Sequence, residues 1–287
     1  MSLETHRKEI YIHYFVKDVN AGDRYNKFMA EKLVDAKVVC VTCETINYNP
    51  HFQFVGSIAS SSNKNTVILG TGLLLQSRYI KAFKECHIVR GKYTLIYLKA
   101  FMKDVSSITL GDPGILLECF IDKENRPEPI YEYGIIPHYV DKARTKELMT
   151  SEWDDKVLYI DIQTDDLVGL AKQMLSCKKM VSSSLHGIIF AHSLGIPVTW
   201  VRFDGTKLTP DDIKFYDYLS VFGIERDQYK KYCTLIKNNL SLNDFANFPT
   251  IDIDATLIAN KKQELLSKTI SVLRKHNFRI RDEFSNY

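Results

Sequence analysis

The stretch that most constrains this chain runs from Lys179 to Val201 and reads K-M-V-S-S-S-L-H-G-I-I-F-A-H-S-L-G-I-P-V-T-W-V. Met180 and Val181 form a short apolar run that reads as a buried strand. Three serines follow, then Leu185, His186 and Gly187. The small, apolar segment that continues to Leu194 reads as a helix packed on most sides. Gly195 is placed to cap it in the left-handed conformation. Pro197 bars its continuation, and Val198 to Val201 reads as the next buried strand. A strand, polar turn, helix and strand in so short a span predict a parallel sheet.

In such sheets ligands bind beyond the carboxyl ends of the strands, where the serine turn lies. Free backbone N–H groups and the helix dipole favour an anion there. Ser182, Ser183 and Ser184 add hydroxyl donors, and Gly187 lets backbone approach a ligand. His186 can donate to an anion or move a proton near neutral pH. An ordinary N-cap ahead of a core helix uses the same residues, since serine is a preferred cap.

The same order recurs along the chain. Glu9 to Val16 reads as a strand, Asn20-Ala21-Gly22-Asp23 as a turn, Arg24 to Val34 as a helix and Val38 to Val41 as a strand. Asp23 is placed to act as a general base, to bind a hydroxyl, or to cap the helix. Asn47 to His51 reads as loop. Thr66 to Leu69 is a buried strand ended by Gly70-Thr71-Gly72, and His87 to Arg90 another. Arg90 suits a carboxylate or phosphate by its planar fork, or is a solvated arginine. Ile108 to Leu110 leads through Gly111-Asp112-Pro113-Gly114 to a helix at Ile115 to Phe120, with Asp112 as N-cap and Pro113 at the first helical position. A strand ends at Pro137, with His138 and the flat ring of Tyr139 just beyond. Asp141 to Trp153 is charged and helical, and strands resume at Lys156 to Ile160. Asp166 closes a cap for a helix that buries Leu167, Leu170, Ala171, Met174 and Leu175. Arg202 to Pro210 is a polar loop. Asp252-Ile253-Asp254 reads as a metal-binding D-x-D or as the cap of the last helix, Ala255 to His276; the cap is the stronger reading.

Length allows two domains of ordinary size or one large one, and composition suits a globular protein. A net charge of +3, with no Lys/Arg block, gives no footprint for nucleic acid. Six scattered cysteines do not make a disulfide framework, and Cys40-Val-Thr-Cys43 lacks the second pair a zinc site needs. With no signal peptide and no apolar run long enough to span a bilayer, a cytoplasmic setting is expected. Arg274, Lys275, Arg279 and Arg281 make the chain's end basic, which favours the helix dipole and allows contact with an anionic membrane face.

The segment S-S-S-L-H-G-I-I-F-A-H-S-L-G-I-P-V resembles the signature of the polysaccharide pyruvyl transferase family. The N-x-G-D turn at Asp23, the pair Gly70 and Gly72, the D-P-x-L run at Asp112, P-H-Y at His138 and K-F-x-D-Y at Lys214 are similar to family segments too. The resemblance thus touches positions from Asn20 to Gly223. It implies transfer of the enolpyruvyl unit of phosphoenolpyruvate to a sugar of a cell-surface polysaccharide or its lipid-linked precursor, closing a pyruvate ketal. Phosphoenolpyruvate is then a donor substrate, and no metal or other cofactor is expected. His186 is the expected acid, and Asp23 or Asp112 the base. Ser182 to Gly187, Leu185 included, Gly70, Gly72 and His138 are expected to bind substrate. Many members carry arginine where this chain has Ser184, so Arg90 and Lys214 are the candidate replacement cations.

The resulting expectation is an α/β protein of two Rossmann-like parallel-sheet domains, residues 1–145 on the acceptor side and 146–287 with the serine–histidine element. A glycosyltransferase-B-like arrangement about a cleft is what the resemblance implies. The alternatives are a nucleotide-sugar-dependent glycosyltransferase of the same fold and a degenerate sugar-binding module.

Overall fold

In the computed structural model the chain forms two sheets, with residues 8–41, 45–46, 48–122, 126–149, 153, 155–205, 212–237 and 240–287 described. The strands β1 (Glu9–His13), β2 (Lys37–Val41), β3 (His51–Gln53), β4 (Thr66–Leu69), β5 (Glu85–Val89) and β6 (Thr109–Leu110) lie in the order β2-β1-β3-β4-β5-β6. The strands β7 (Tyr131–Ile136), β8 (Val157–Tyr159), β9 (Cys177–Ser182), β10 (Val198–Phe203) and β11 (Cys233–Ile236) form the second sheet, in the order β11-β10-β9-β7-β8. Every pairing between these strands is parallel. In both sheets the first strand has the second on one side and the third on the other. Each sheet therefore reverses its winding beside its first strand, between β1 and β3 and between β7 and β9. Such reversals open a crevice at the carboxyl ends.

Helices α1 (Ala21–Leu33), α2 (Lys92–Leu98), α3 (Lys142–Leu148), α4 (Leu167–Leu175), α5 (Leu185–Leu194), α6 (Ile213–Leu219), α7 (Leu242–Asn247) and α8 (Ala255–Lys275) connect and cover the strands. Their ends are set locally. The Asn20 side chain caps α1 by accepting from Gly22 N–H, and Asp166 caps α4. Asp254 accepts from Thr256 and Leu257 N–H at the start of α8, so the D-x-D string serves as a cap. Gly195 ends α5 at φ +71°, a conformation that costs a residue with a Cβ. Every residue of α5 but His186 is buried, because the helix packs between β9, β10, α4 and the 3-10 segment Pro113–Phe120 of the first lobe. Its all-round apolar sequence follows from that position.

One apolar core runs between the sheets. It joins Ile10, Ile12 and Ile88 of the first with Met180, Phe190, Trp200 and Phe215 of the second. Emptying a fully buried site such as Phe190 would cost about 3–5 kcal/mol. Smaller clusters cover the outer faces, around Trp153 and Phe245 on one lobe and Leu73 and Val89 on the other.

Several expectations change. The chain passes to the second sheet before Tyr131 rather than near residue 145, because β7 pairs with β8 and β9. The last helix returns to the first lobe and packs on β5, β6 and the Pro113–Phe120 segment. The expected strand to Val16 stops at His13, and Phe15 and Val16 are exposed. The last residue of the expected loop Asn47–His51 opens β3, whose His51 and Gln53 are fully buried. They are paired there with Thr66, His13 and Ser62 rather than with apolar neighbours, so no apolar run marked the strand. The segment after Asp112 is helical as expected, in the tighter 3-10 form from Pro113 to Phe120, with Asp112 as its N-cap. Cys43, Asn47 and residues 206–210 of the expected loops lie outside the described residues.

Candidate active site

A cavity of about 200 Å³ lies where the two winding reversals meet. Phe15, Asp18, Asn20 and Asp23 reach it from the segment after β1, and Gly56, Ser57 and Ile58 from the segment after β3. His138 and Tyr139 reach it from the end of β7, and Ser184, Leu185 and His186 from the end of β9. Lys214 enters from α6. Both crevices thus open on one space.

Asp23 is not the N-cap of α1; Asn20 takes that place, at 2.9 Å from Gly22 N. The freed Asp23 carboxyl is pushed up to about 7 by burial, against the pull of Lys214 and Arg24. Lys214 is only 6% exposed, and its ammonium makes no hydrogen bond or ion pair to the described residues. Burial brings it down to about 8, and the Arg90 charge acts in the same direction. His186 and His138 are both lowered to about 3, first by burial; Arg90 and then Lys214 add to the effect on His186, and Lys214 and His186 to that on His138. Both imidazoles are therefore neutral in the free protein, and an anion in the cavity would draw protons onto them. The Tyr139 ring packs on His138 at 4.4 Å and is 41% exposed, and Phe15 is 40% exposed across the same mouth.

The other expected site residues have structural partners. Ser182 Oγ donates to Ile136 O and accepts from Ser184 N. Ser183 Oγ donates to Asp141 Oδ2 at 2.6 Å and accepts from His138 N at 2.9 Å. These two serines hold the turn, and only Ser184, whose hydroxyl makes no capping bond, lines the cavity. Gly187 packs against its own lobe; a Cβ there would strike Ser182 Oγ and come within 3.1 Å of Ile136. Gly70, at φ +137°, fits beneath Pro113 and Phe54 O, and Gly72 seats the guanidinium of Arg90.

Arg90 is neither solvated nor at the cavity wall. It is fully buried, with Nε on Asp217 Oδ2 at 3.1 Å, Nη1 on Ser57 Oγ at 2.8 Å and Nη2 on Leu73 O at 2.5 Å. Its fork is committed to joining the lobes. Asp217 is held further by Thr94 N and Thr94 Oγ1. Asp112 also lies off the cavity. Its Oδ1 accepts from Gly114 N, its Oδ2 has no partner among the described residues, and burial pushes the carboxyl up to about 7.

A model of the polysaccharide pyruvyl transferase family matches residues 20–205, well over half of the chain. The chain belongs to that family. The match takes in both serine-turn strands, Asp23, His138 and His186, and it ends before Lys214. No solved structure matches the chain. For a pyruvyl transferase family member, sequence reasoning missed Phe15, Asp18, Ser57 and Ile58 at the cavity. Phe15 read as the end of a strand, and Gly56-Ser57 follows a strand too short and polar to be seen. No helix among the described residues is long and apolar enough to cross a membrane.

Proposed function

We propose that this protein transfers the enolpyruvyl unit of phosphoenolpyruvate to a sugar of a cell-surface polysaccharide or its lipid-linked precursor, working at the cytoplasmic membrane face. The lobes then flank a glycosyltransferase-B-like cleft. The observation that carries the reading is the convergence of both winding reversals on one cavity that holds Lys214, His186, His138 and Asp23, in a chain of this family.

Donor chemistry assigns the roles. The methylene carbon of phosphoenolpyruvate takes a proton, and the adjacent carbon becomes oxocarbenium-like. A sugar hydroxyl attacks it, phosphate leaves with the C–O bonding pair, and a second hydroxyl closes the ketal. Lys214 serves as the point charge for phosphate or carboxylate in place of the arginine absent at Ser184, aided by the α5 N-terminus and Ser184 Oγ. His186 gains its proton when the anion arrives and returns one in the reaction. Asp23, poised near neutrality, exchanges a proton with the attacking hydroxyl. The rings of Tyr139 and Phe15 face the acceptor sugar.

Thermal shift tests the donor: phosphoenolpyruvate should raise Tm more than any nucleotide sugar, since only a ligand of the native state does so. A shift with a nucleotide sugar and none with phosphoenolpyruvate would favour glycosyl transfer instead. With an active acceptor, His186→Asn should stay folded and lose turnover by about 10²-fold or more, mainly in kcat. Unchanged turnover in the folded variant removes His186 from the mechanism.

A further inference from the structure

The imidazole of His186 stands against residue 22 of the other lobe. A Cβ on Gly22 would overlap the ring's Nδ1 and Cγ and come within 2.7 Å of Cε1. Nothing else at this position requires glycine. Its backbone is not in the left-handed region, its N–H is taken by Asn20 Oδ1, and alanine is the better helix former. The ring also packs on Phe190, centroids 5.6 Å apart, and Phe190 is fully buried beside Tyr25. Nε2 of His186 has no hydrogen-bond partner among the described residues. Shape therefore sets the direction of this ring.

We propose that Gly22 is a positioning residue for His186: the absent side chain in the first lobe is the slot that holds the imidazole of the second lobe at the cavity wall. A larger residue turns the ring out of the slot. The effect on turnover rests on the proposed role of His186 above; the slot itself is a matter of packing and is tested separately.

The test is Gly22→Ala, alone and in a His186→Ala background. In the single variant the His186 imidazole resonances, assigned by their loss in His186→Ala, should move in a ¹H–¹³C spectrum. They should titrate nearer the ordinary 6.5 than the value of about 3 it is held to in the slot. Phosphate release from phosphoenolpyruvate should fall by about 10²-fold, the scale of a misplaced acid or base. In the His186→Ala background the same change should cost neither Tm nor residual turnover. Unmoved resonances in folded Gly22→Ala, or equal Tm losses in both backgrounds, overturn the proposal. If Gly22→Ala does not fold, cooperative melting restored by His186→Ala supports the slot, and continued failure overturns it. A wild-type protein with no phosphoenolpyruvate turnover defeats the proposed function, while the spectra and the Tm cycle still decide the slot.

Discussion

The two winding reversals solve one problem by different means. Both must hold an irregular turn at a strand's carboxyl end without orphaning buried polar groups. In the first lobe a residue within α1 does much of this, with Thr71 Oγ1 bonding Gly56 O and Ile58 N beside it. Asn26 Oδ1 accepts from Phe54 N and Val55 N, and its Nδ2 donates to Val55 O and Asp23 O. In the second lobe the work is spread over Ser182, Ser183 and Asp141. The lesson concerns short polar side chains beside a site. A serine-rich turn looks like a set of ligand donors, yet two of its three hydroxyls are used to hold the turn. In the first lobe the holding side chains, Asn26 and Thr71, lie outside the turn at residues 56–58, and Asn20 rather than Asp23 caps α1.

Arg90 ties the two reversals together, and removing it should give the largest effect. Arg90→Ala leaves Asp217 as an uncompensated buried charge, at a cost of about 3–5 kcal/mol, and loosens Ser57 and Gly56. Chemical denaturation checks this. A loss confined to donor affinity, with stability intact, would return Arg90 to the ligand.

Lys214→Met comes next. Donor affinity should fall by about 1.5–3 kcal/mol, the scale of a charged hydrogen bond, while apo stability holds or rises because an ammonium is no longer dehydrated. Calorimetric titration with phosphoenolpyruvate reads both the loss and its absence; an unchanged affinity removes Lys214 as the donor's cation.

The contrast within the serine turn predicts smaller numbers. Ser183→Ala takes a hydrogen bond from both Asp141 and His138 N–H and should cost about 1–3 kcal/mol. Ser184→Ala removes a hydroxyl with no capping bond and should stay within about 0.5 kcal/mol. Equal losses would mean that the two serines share one role.

What was legible in the sequence follows the same division. The α/β class, the strand–turn–helix at Lys179–Val201, its Gly195 cap and the cap at Asp254 were written in local patterns of 3.6 and 2 residues. The cavity's position near Asp23, His138 and His186 follows the rule that sites form at carboxyl ends, while Lys214 was marked only by its resemblance to a family segment. Arg90, Gly70, Gly72 and Gly187 misled because one sequence cannot tell a residue that faces a ligand from one that faces a distant part of the fold. Arg90 faces Asp217 of the other lobe, while Gly72 makes room for a guanidinium and Gly187 for a hydroxyl within their own lobes.

A pH series adds a readout that draws on both lobes. His138 and His186, with His13 and His192, are lowered from 6.5 to about 3, 3, 4 and 4. Their contribution to stability is full above 6.5 and is lost as pH falls through those values. Asp23 and Asp112, raised from 3.8 to about 7, act oppositely, with a contribution present below 3.8 and lost as pH rises through 7. Between about pH 4.5 and 6 the four histidines outweigh the two carboxyls, so Tm should climb with pH. Asp23→Asn should steepen the climb. A Tm that falls with pH across this window would show that the carboxyls dominate.

The return of α8 to the first lobe bears on how the protein is made. The first sheet is synthesised first, yet its face at β5 and β6 is covered by residues 255–275. The tail beyond binds it too: Ile280 bridges Val34, and Arg281 N donates to Leu33 O at 2.9 Å. Phe278 closes over Phe52 with ring centroids 5.8 Å apart. A nascent chain therefore carries an unfinished first lobe until residues 255–281 have left the ribosome. The second lobe must begin to fold beside an exposed apolar face. Loss of residues 255–281 would then harm a lobe made well before them.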